Sequence, residues 1–196
     1  MTNYLFKNLN TLFLTCALVF ISITNAQEVR VIDNKGTIYR LDITTAELFD
    51  TGGGLTITDA DAIIQFNTQG IIDSNDYSTT LDDEGKYTSI TIKKNGTYKV
   101  TYRVTAQITS GESRSGTEYR LLKTDEDGDI SVVPGSYSAA YHRIVNRGKN
   151  TASASRILVL AALDVLKVQG KRYAGNNNTT IKTVAQGSSF LVERIK

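Results

Sequence analysis

The segment Thr97–Thr109 (TYKVTYRVTAQIT) sets the strongest limit on what this chain can become. Tyr98, Val100, Tyr102, Val104, Ala106 and Ile108 fall on one parity; Thr97, Lys99, Thr101, Arg103, Thr105, Gln107 and Thr109 fall on the other. A period of two held this long is the signature of a strand with one dry face and one wet face. A helix would scatter the tyrosines and threonines around its axis, so the segment is extended, and a strand needs sheet partners.

Candidate partners are plentiful. Val29–Leu41 (VRVIDNKGTIYRL) reads as a hairpin around Asp33-Asn34-Lys35-Gly36, whose Asn and Gly suit a tight turn. Ala62–Phe66, Tyr87–Lys93, Thr117–Lys123, Ile130–Val133, Ser136–Ile144 and Ser188–Ile195 carry further strand signals. Ile43–Asp50 is the one short helix candidate, capped by Thr44 or Thr45. Gly52-Gly53-Gly54 follows, and three glycines in a row predict a hinge between a small N-terminal appendage (27–54) and the main domain (55–196). Arg156–Val168 (RILVLAALDVLKV) is apolar on both parities. It fits a helix rich in Ala and Leu, or two strands joined at Ala162-Leu163-Asp164 and covered on both faces. Many short strands without βα alternation predict an all-β sandwich or jelly roll.

The first 26 residues read as an export signal: Lys7, an apolar run over Leu9–Ile23, then Thr24-Asn25-Ala26 ahead of the cut. The run is too short for a membrane anchor, which needs roughly 20 apolar residues. Phe13-Leu14-Thr15 is a poor lipobox, so Cys16 leaves with the signal. The mature chain then has 196 − 26 = 170 residues, a formal charge of +2 − 1 = +1, and no cysteine. An exported domain without disulfides is held by its core or by oligomerisation. The signal resembles those of the Bacteroidetes group of bacteria. No stable membrane insertion is expected after cleavage.

Composition removes whole classes of function. So small a net charge offers neither nucleic acid nor anionic lipid a concentrated basic surface. One histidine and one cysteine cannot build the usual tetrahedral or facial-triad metal cages. His142, the sole imidazole, has no Gly-x-Ser-x-Gly elbow to serve and reads as a strand-surface residue. Asp82-Asp83-Glu84 and Asp125-Glu126-Asp127-Gly128-Asp129 are acidic clusters between strand segments, where solvated turns belong. The second spaces Asp125, Asp127 and Asp129 as a calcium loop does, but Ile130 stands where an EF-hand has glycine and the late glutamate is missing. A turn is the first reading and a calcium site the alternative; no other cofactor is expected. A hydrolase using Asp125 and Asp127 is a third functional reading, since glycosidases need only two carboxyls at a set distance.

Of the 10 tyrosines, Tyr4 leaves with the signal. Tyr98 and Tyr102 have core periodicity, while Tyr119, Tyr137, Tyr141 and Tyr173 are free to face a partner. The absence of tryptophan weakens a dedicated sugar-binding reading. The sequons at Asn95 and Asn178 are coincidental in a bacterial chain.

Three segments in order resemble the tumour necrosis factor/complement C1q-like jelly roll. Asn95-Gly96-Thr97-Tyr98-Lys99-Val100-Thr101-Tyr102 is similar to its Gly-x-Tyr-x-Phe/Val strand. Leu158-Val159-Leu160 followed by Asp164-Val165-Leu166-Lys167-Val168-Gln169-Gly170 is similar to its Leu-x-x-Gly-Asp-x-Val-x-Val stretch, with Leu163 in place of the glycine. Ser188-Ser189-Phe190-Leu191 is similar to its last strand. The likeness spans Ala62–Lys196 and is nearest in flavour to C-terminal domains of collagen-like glycoproteins on bacterial spore surfaces, although no Gly-X-Y repeat precedes it here. It implies two strands across 156–168 and a homotrimer in which one sheet packs on neighbouring subunits, burying about 1,000 Å² per subunit. Tyr98, Tyr102, Leu158, Leu160, Leu166 and Phe190 are the residues expected to serve the trimer interface or the core. The implied function is a non-enzymatic, exported or cell-surface module whose loops meet a protein or glycan. The alternative is a monomeric carbohydrate-binding sandwich.

Overall fold

The structure, a computed structural model, describes residues 29–32, 38–41, 43–111, 114–143, 145, 148–175 and 179–195. The expected signal, with Cys16, lies outside the described residues. The chain divides into two units, Met1–Leu41 and Asp42–Lys196. In the first, β1 (Val29–Ile32) and β2 (Ile38–Leu41) pair antiparallel, Val29 opposite Leu41 and Ile32 opposite Ile38, as the hairpin reading requires.

The second unit is all strand: β3 (Thr44–Asp50), β4 (Thr56–Ile57), β5 (Ala62–Ile63), β6 (Thr68–Ile72), β7 (Tyr77–Leu81), β8 (Tyr87–Ile92), β9 (Gly96–Ser110), β10 (Ser115–Thr124), β11 (Ile130–Val132), β12 (Ser138–His142), β13 (Asn150–Leu160), β14 (Val165–Gly175), β15 (Thr180–Thr183) and β16 (Ser188–Arg194). One sheet runs β11–β10–β14–β8–β7, with β12 also on β10 and β5 on β14. The other runs β4–β15–β9–β16–β3–β6, with β13 on the free side of β9. Chain neighbours seldom pair, because the chain crosses between the two sheets at eight of the thirteen steps from β3 to β16. That is the jelly-roll winding, and every pairing is antiparallel.

β9 is the long ribbon expected from its alternation, and its tyrosine-valine side is dry. Tyr98, Val100, Tyr102, Val104, Ala106 and Ile108 meet Ile90, Ile92, Leu121, Leu166 and Val168 of the facing sheet in one core. Burying each large apolar side chain contributes about 1.5–3 kcal/mol, the term that replaces disulfides here. Phe66 stacks on Phe190 at 6.0 Å between ring centroids, and Tyr77 meets Tyr98 edge-on at 6.1 Å. The Tyr102 hydroxyl reaches across the sandwich to the carbonyls of Tyr119 (3.0 Å) and Ser136 (2.5 Å). Gly170 leaves space for the Tyr119 ring, whose Cδ1 would lie 2.6 Å from a Cβ built there.

Two expectations need correction. Thr44–Asp50 is a strand and not a helix: Ala46, Leu48 and Asp50 point inward while Thr45, Glu47 and Phe49 point out. A single isolated helical turn or two is unstable in water, whereas β16 offers this segment a seven-rung ladder from Ser188↔Asp50 to Arg194↔Thr44. Tertiary pairing therefore overrides local preference. The Gly52–Gly54 run is also not a boundary. The Asp50 carboxylate accepts the Gly52 (3.1 Å) and Gly53 (3.0 Å) amides, and a Cβ at Gly53 would lie 2.4 Å from the Ala185 nitrogen. With φ of 66°, Gly53 makes a tight packed turn inside the main unit.

The apolar stretch Arg156–Val168 is two strands. It turns at Ala161–Asp164, where the Asp164 carboxylate accepts the Ala161 amide (2.9 Å) and Asn95 Oδ1 accepts the Ala162 amide (2.7 Å). Leu163 takes the left-handed conformation that glycine would take freely, with φ of 74°. Its amide donates to the Ile92 carbonyl at 2.8 Å, so neighbouring bonds hold the turn despite a cost of about 1–2 kcal/mol.

Candidate functional site

The residues expected at a seam or in the core face inward. Tyr98, Tyr102, Leu160, Leu166 and Phe190 are buried within one copy, and Leu158 is half-buried against them. What lies outside is the other parity of the same strand. On β13, Ile157 and Val159 are 65% and 84% exposed, and Leu163 in the next turn is 60% exposed. Among the described residues β13 pairs only with β9 and is an edge of its sheet; β11 and β12 pair only with β10 and edge the other sheet. Those edges carry Ile130, Val132, Tyr137 and Tyr141, all exposed, on or beside β11 and β12. Seven of the ten exposed large hydrophobics of the described residues therefore fall between residues 130 and 163. Apolar surface gathered on sheet edges is the place to look for a partner, because isolated exposed side chains are commonplace and a cluster is not.

The chemistry-bearing candidates take structural posts. Asp125 Oδ1 accepts the Asp129 amide at 2.9 Å, and Gly128 adopts φ of 87°. Residues 125–129 thus form the β10–β11 turn, and among the described residues no three His, Cys, Asp or Glu side chains gather to hold a metal. Asp82 caps its own turn, accepting the Lys86 (2.9 Å) and Glu84 (3.0 Å) amides.

His142 is not on the strand surface. It is fully buried at the end of β12, with Nε2 3.1 Å from Thr117 Oγ1 and Nδ1 3.3 Å from the Gly148 carbonyl. Burial pushes its pKa below 6.5, partly opposed by the Gly148 carbonyl. The alternation of Ala140 and His142 was the available sign of an inward position.

Tyr119 is core, while Tyr137 and Tyr141 are exposed; the side chain of Tyr173 lies outside the described residues. Burial pushes the Tyr98 and Tyr119 hydroxyls up to about 12, with the neighbouring Tyr77 adding to the effect at Tyr98.

Sequence reading missed Asp76 altogether. This 1%-exposed carboxylate sits before β7, ion-paired with Lys94 and Arg194 and accepting Thr44 Oγ1 at 2.7 Å. Burial alone would raise its pKa, but hydrogen bonds from Lys94 and Thr44 and the two cations outweigh that and hold it below 3.8. No local motif marks it, since its partners come from residues 44, 94 and 194.

The two-sheet winding and the strand order are those of a jelly roll of the tumour necrosis factor type. Among solved structures, murine APRIL at pH 8.0 superposes with a TM-score of 0.54 at 8% identity, over 78% of this chain and 99% of that one. Eiger TNF from S. frugiperda gives 0.52 at 16% identity, over 79% of this chain and 93% of its own. At such identities the likeness is one of fold. No protein-family profile and no curated protein matches the chain.

Proposed function

We propose that this chain is an exported, non-enzymatic module of a bacterial surface that assembles as a homotrimer and presents its loops to a protein or glycan. The observation that carries the assembly is the apolar edge: Ile157, Val159 and Leu163 with Ile130, Val132, Tyr137 and Tyr141. Tyr98, Tyr102, Leu160, Leu166 and Phe190 are taken up by the core and Leu158 packs half-buried against it, yet a second apolar set remains outside between residues 130 and 163. Burying it between copies supplies stability that a disulfide-free exported domain otherwise lacks. Three copies would also raise avidity through effective concentration without a deep pocket in any of them. The resemblance to a trimeric family supports the same arrangement. No helix among the described residues is long and apolar enough to cross a membrane.

Sedimentation of residues 27–196 at micromolar concentration tests the assembly. A mass three times that of one copy is expected, and a single-copy mass removes the trimer. The monomeric carbohydrate-binding sandwich is the second reading, favoured by exposed Tyr137 and Tyr141, and it predicts that single-copy mass.

A further inference from the structure

At one edge of the sandwich the two sheets are fastened to each other through β12 and β13. Asn150 Nδ2 donates to the Tyr141 carbonyl, and the Ser153 amide donates to Ser138 Oγ at 3.0 Å. β12 belongs to the β10 sheet and β13 to the β9 sheet, so these bonds cross from one layer to the other. The connection from β12 to β13 starts at His142, the chain's one histidine, which is fully buried opposite Ser115 of β10.

Both ring nitrogens of His142 are committed. Nδ1 lies 3.3 Å from the Gly148 carbonyl and carries the ring proton, because a carbonyl only accepts. Nε2 is then the lone-pair nitrogen and accepts the Thr117 hydroxyl at 3.1 Å. The neutral ring thereby ties β10, the end of β12 and the approach to β13 at one point. A second proton lands on Nε2, where it displaces the hydrogen that Thr117 donates, and it places a charge out of reach of water.

The elements that meet at His142 do not compensate that charge. Arg114 precedes β10, Arg172 stands opposite Thr117 on β14, Arg143 and Lys149 flank the connection, and Arg156 of β13 lies over Gly135. Glu118 of β10 pairs with Lys171 at 3.2 Å and accepts the Tyr137 hydroxyl at 3.0 Å. Tyr119 and Tyr141 are the phenols of β10 and β12, and Ala106, Ile108, Ile181 and Thr183 at inward positions of β9 and β15 are uncharged. Among the described residues an added proton therefore finds no free carboxylate. Burial holds the imidazole neutral, with the Gly148 carbonyl opposing.

We infer that His142 is an acid-sensitive latch: protonation unfastens the β12–β13 edge of each copy and releases the assembled copies from one another. This edge carries Tyr137 and Tyr141 on one side and Ile157 and Val159 on the other, the surface on which the proposed trimer stands, so the release depends on that reading. The sign follows from linkage. An opened edge gives the ring to water, where it titrates near 6.5, while the closed edge holds it lower. Acid therefore favours opening. One unit below 6.5 the exposed ring is about ten-to-one protonated. Opening thus gains at most about tenfold per copy, and the dissociation constant of three copies at most about a thousandfold.

The test uses the chain expressed with its own leader and purified without a histidine tag, at about pH 7.5 and about pH 5.5, on either side of the exposed imidazole's titration. Amide hydrogen exchange, corrected for its own pH dependence, reads local opening, and sedimentation reads assembly. In acid, β12 and the start of β13 should exchange several-fold faster than at the higher pH and ahead of the β3–β16 ladder, and the trimer should dissociate. His142→Gln cannot gain the charge and should show neither change. The inference is overturned if the edge is equally protected at both values, if His142→Gln reproduces the parent's rise, or if the trimer holds undiminished in acid. Should His142→Gln not fold, the parent's single imidazole signal in proton NMR decides. It should titrate below 6.5 in step with the exchange, and a midpoint at or above 6.5 overturns the latch. A single-copy mass at both values removes the trimer; acid-quickened exchange in that copy upholds the latch, and its absence overturns it.

Discussion

Replacing Gly170 by alanine tests the packing of the whole sandwich with one methyl group. Gly170 pairs with Tyr119 across β14 and β10, and a Cβ there would lie 2.6 Å from Tyr119 Cδ1, 2.8 Å from Cε1 and 3.2 Å from Ile64 Cδ1. Carbon atoms rest at about 3.5–4.0 Å, so the ring would have to retreat by roughly 1 Å. It has nowhere to go: Tyr119 is 1% exposed and Ile64 fully buried. Overpacking of this kind costs about 1–3 kcal/mol, against a gain of about 0.4–1 kcal/mol from a stiffer unfolded chain. The balance is a loss of about 1–2 kcal/mol, or a fall in Tm of roughly 2–8 °C for a domain of this size. Urea unfolding followed by far-UV circular dichroism should show a lower midpoint with an unchanged slope. In a Tyr119→Leu background the same alanine should cost much less, because the obstructing ring edge is gone. An alanine variant that melts with or above the parent would refute the argument.

Charging the exposed edge with Ile157→Asp plus Val159→Asp should leave a single copy stable to within about 0.5 kcal/mol, because both side chains are in solvent there. The same pair should abolish the trimer in sedimentation, since it removes two buried apolar groups worth about 1.5–3 kcal/mol each and introduces carboxylates. Tyr102→Phe removes the hydroxyl that ties β9 to the carbonyls of Tyr119 and Ser136, and equilibrium unfolding should register a loss of about 1–3 kcal/mol. Acid should destabilise the fold in two windows. His142 has a folded pKa below 6.5, so the unfolded chain takes up a proton first and stability declines as pH falls beneath 6.5, a slope that His142→Gln should abolish. Asp76 is held below 3.8, so its contribution is complete above that value and disappears as pH falls through the lower folded pKa; Asp76→Asn should flatten this second window.

Alternation along the chain was enough to establish an extended β9, its dry tyrosine-valine face and an all-β molecule, because a strand's two faces are written in consecutive residues. The ordered motifs around Tyr98, Asp164 and Phe190 pointed to the right winding and resolved Arg156–Val168 into two strands. Local reading failed at Ile43–Asp50, where eight residues fit either conformation and β16, well over a hundred residues away, decided between them. It failed at Gly52–Gly54 for the same reason: three glycines permit a hinge or a tight turn, and the backbone of Val184 and Ala185 made it a turn.

Residue order alone specifies which side chains want to be dry. How many of them one copy can cover is settled by sheet packing, and that is a question of area. The core took Leu160, Leu166 and Phe190 and left Ile157 and Val159 outside, although all belong to equally oily segments. The fold likewise gathered Thr117, His142 and Gly148 at one edge, and Thr44, Lys94 and Arg194 around Asp76. Sheet register brings such groups together across distances along the chain that no spacing rule spans, so the site belongs to the fold and not to any motif.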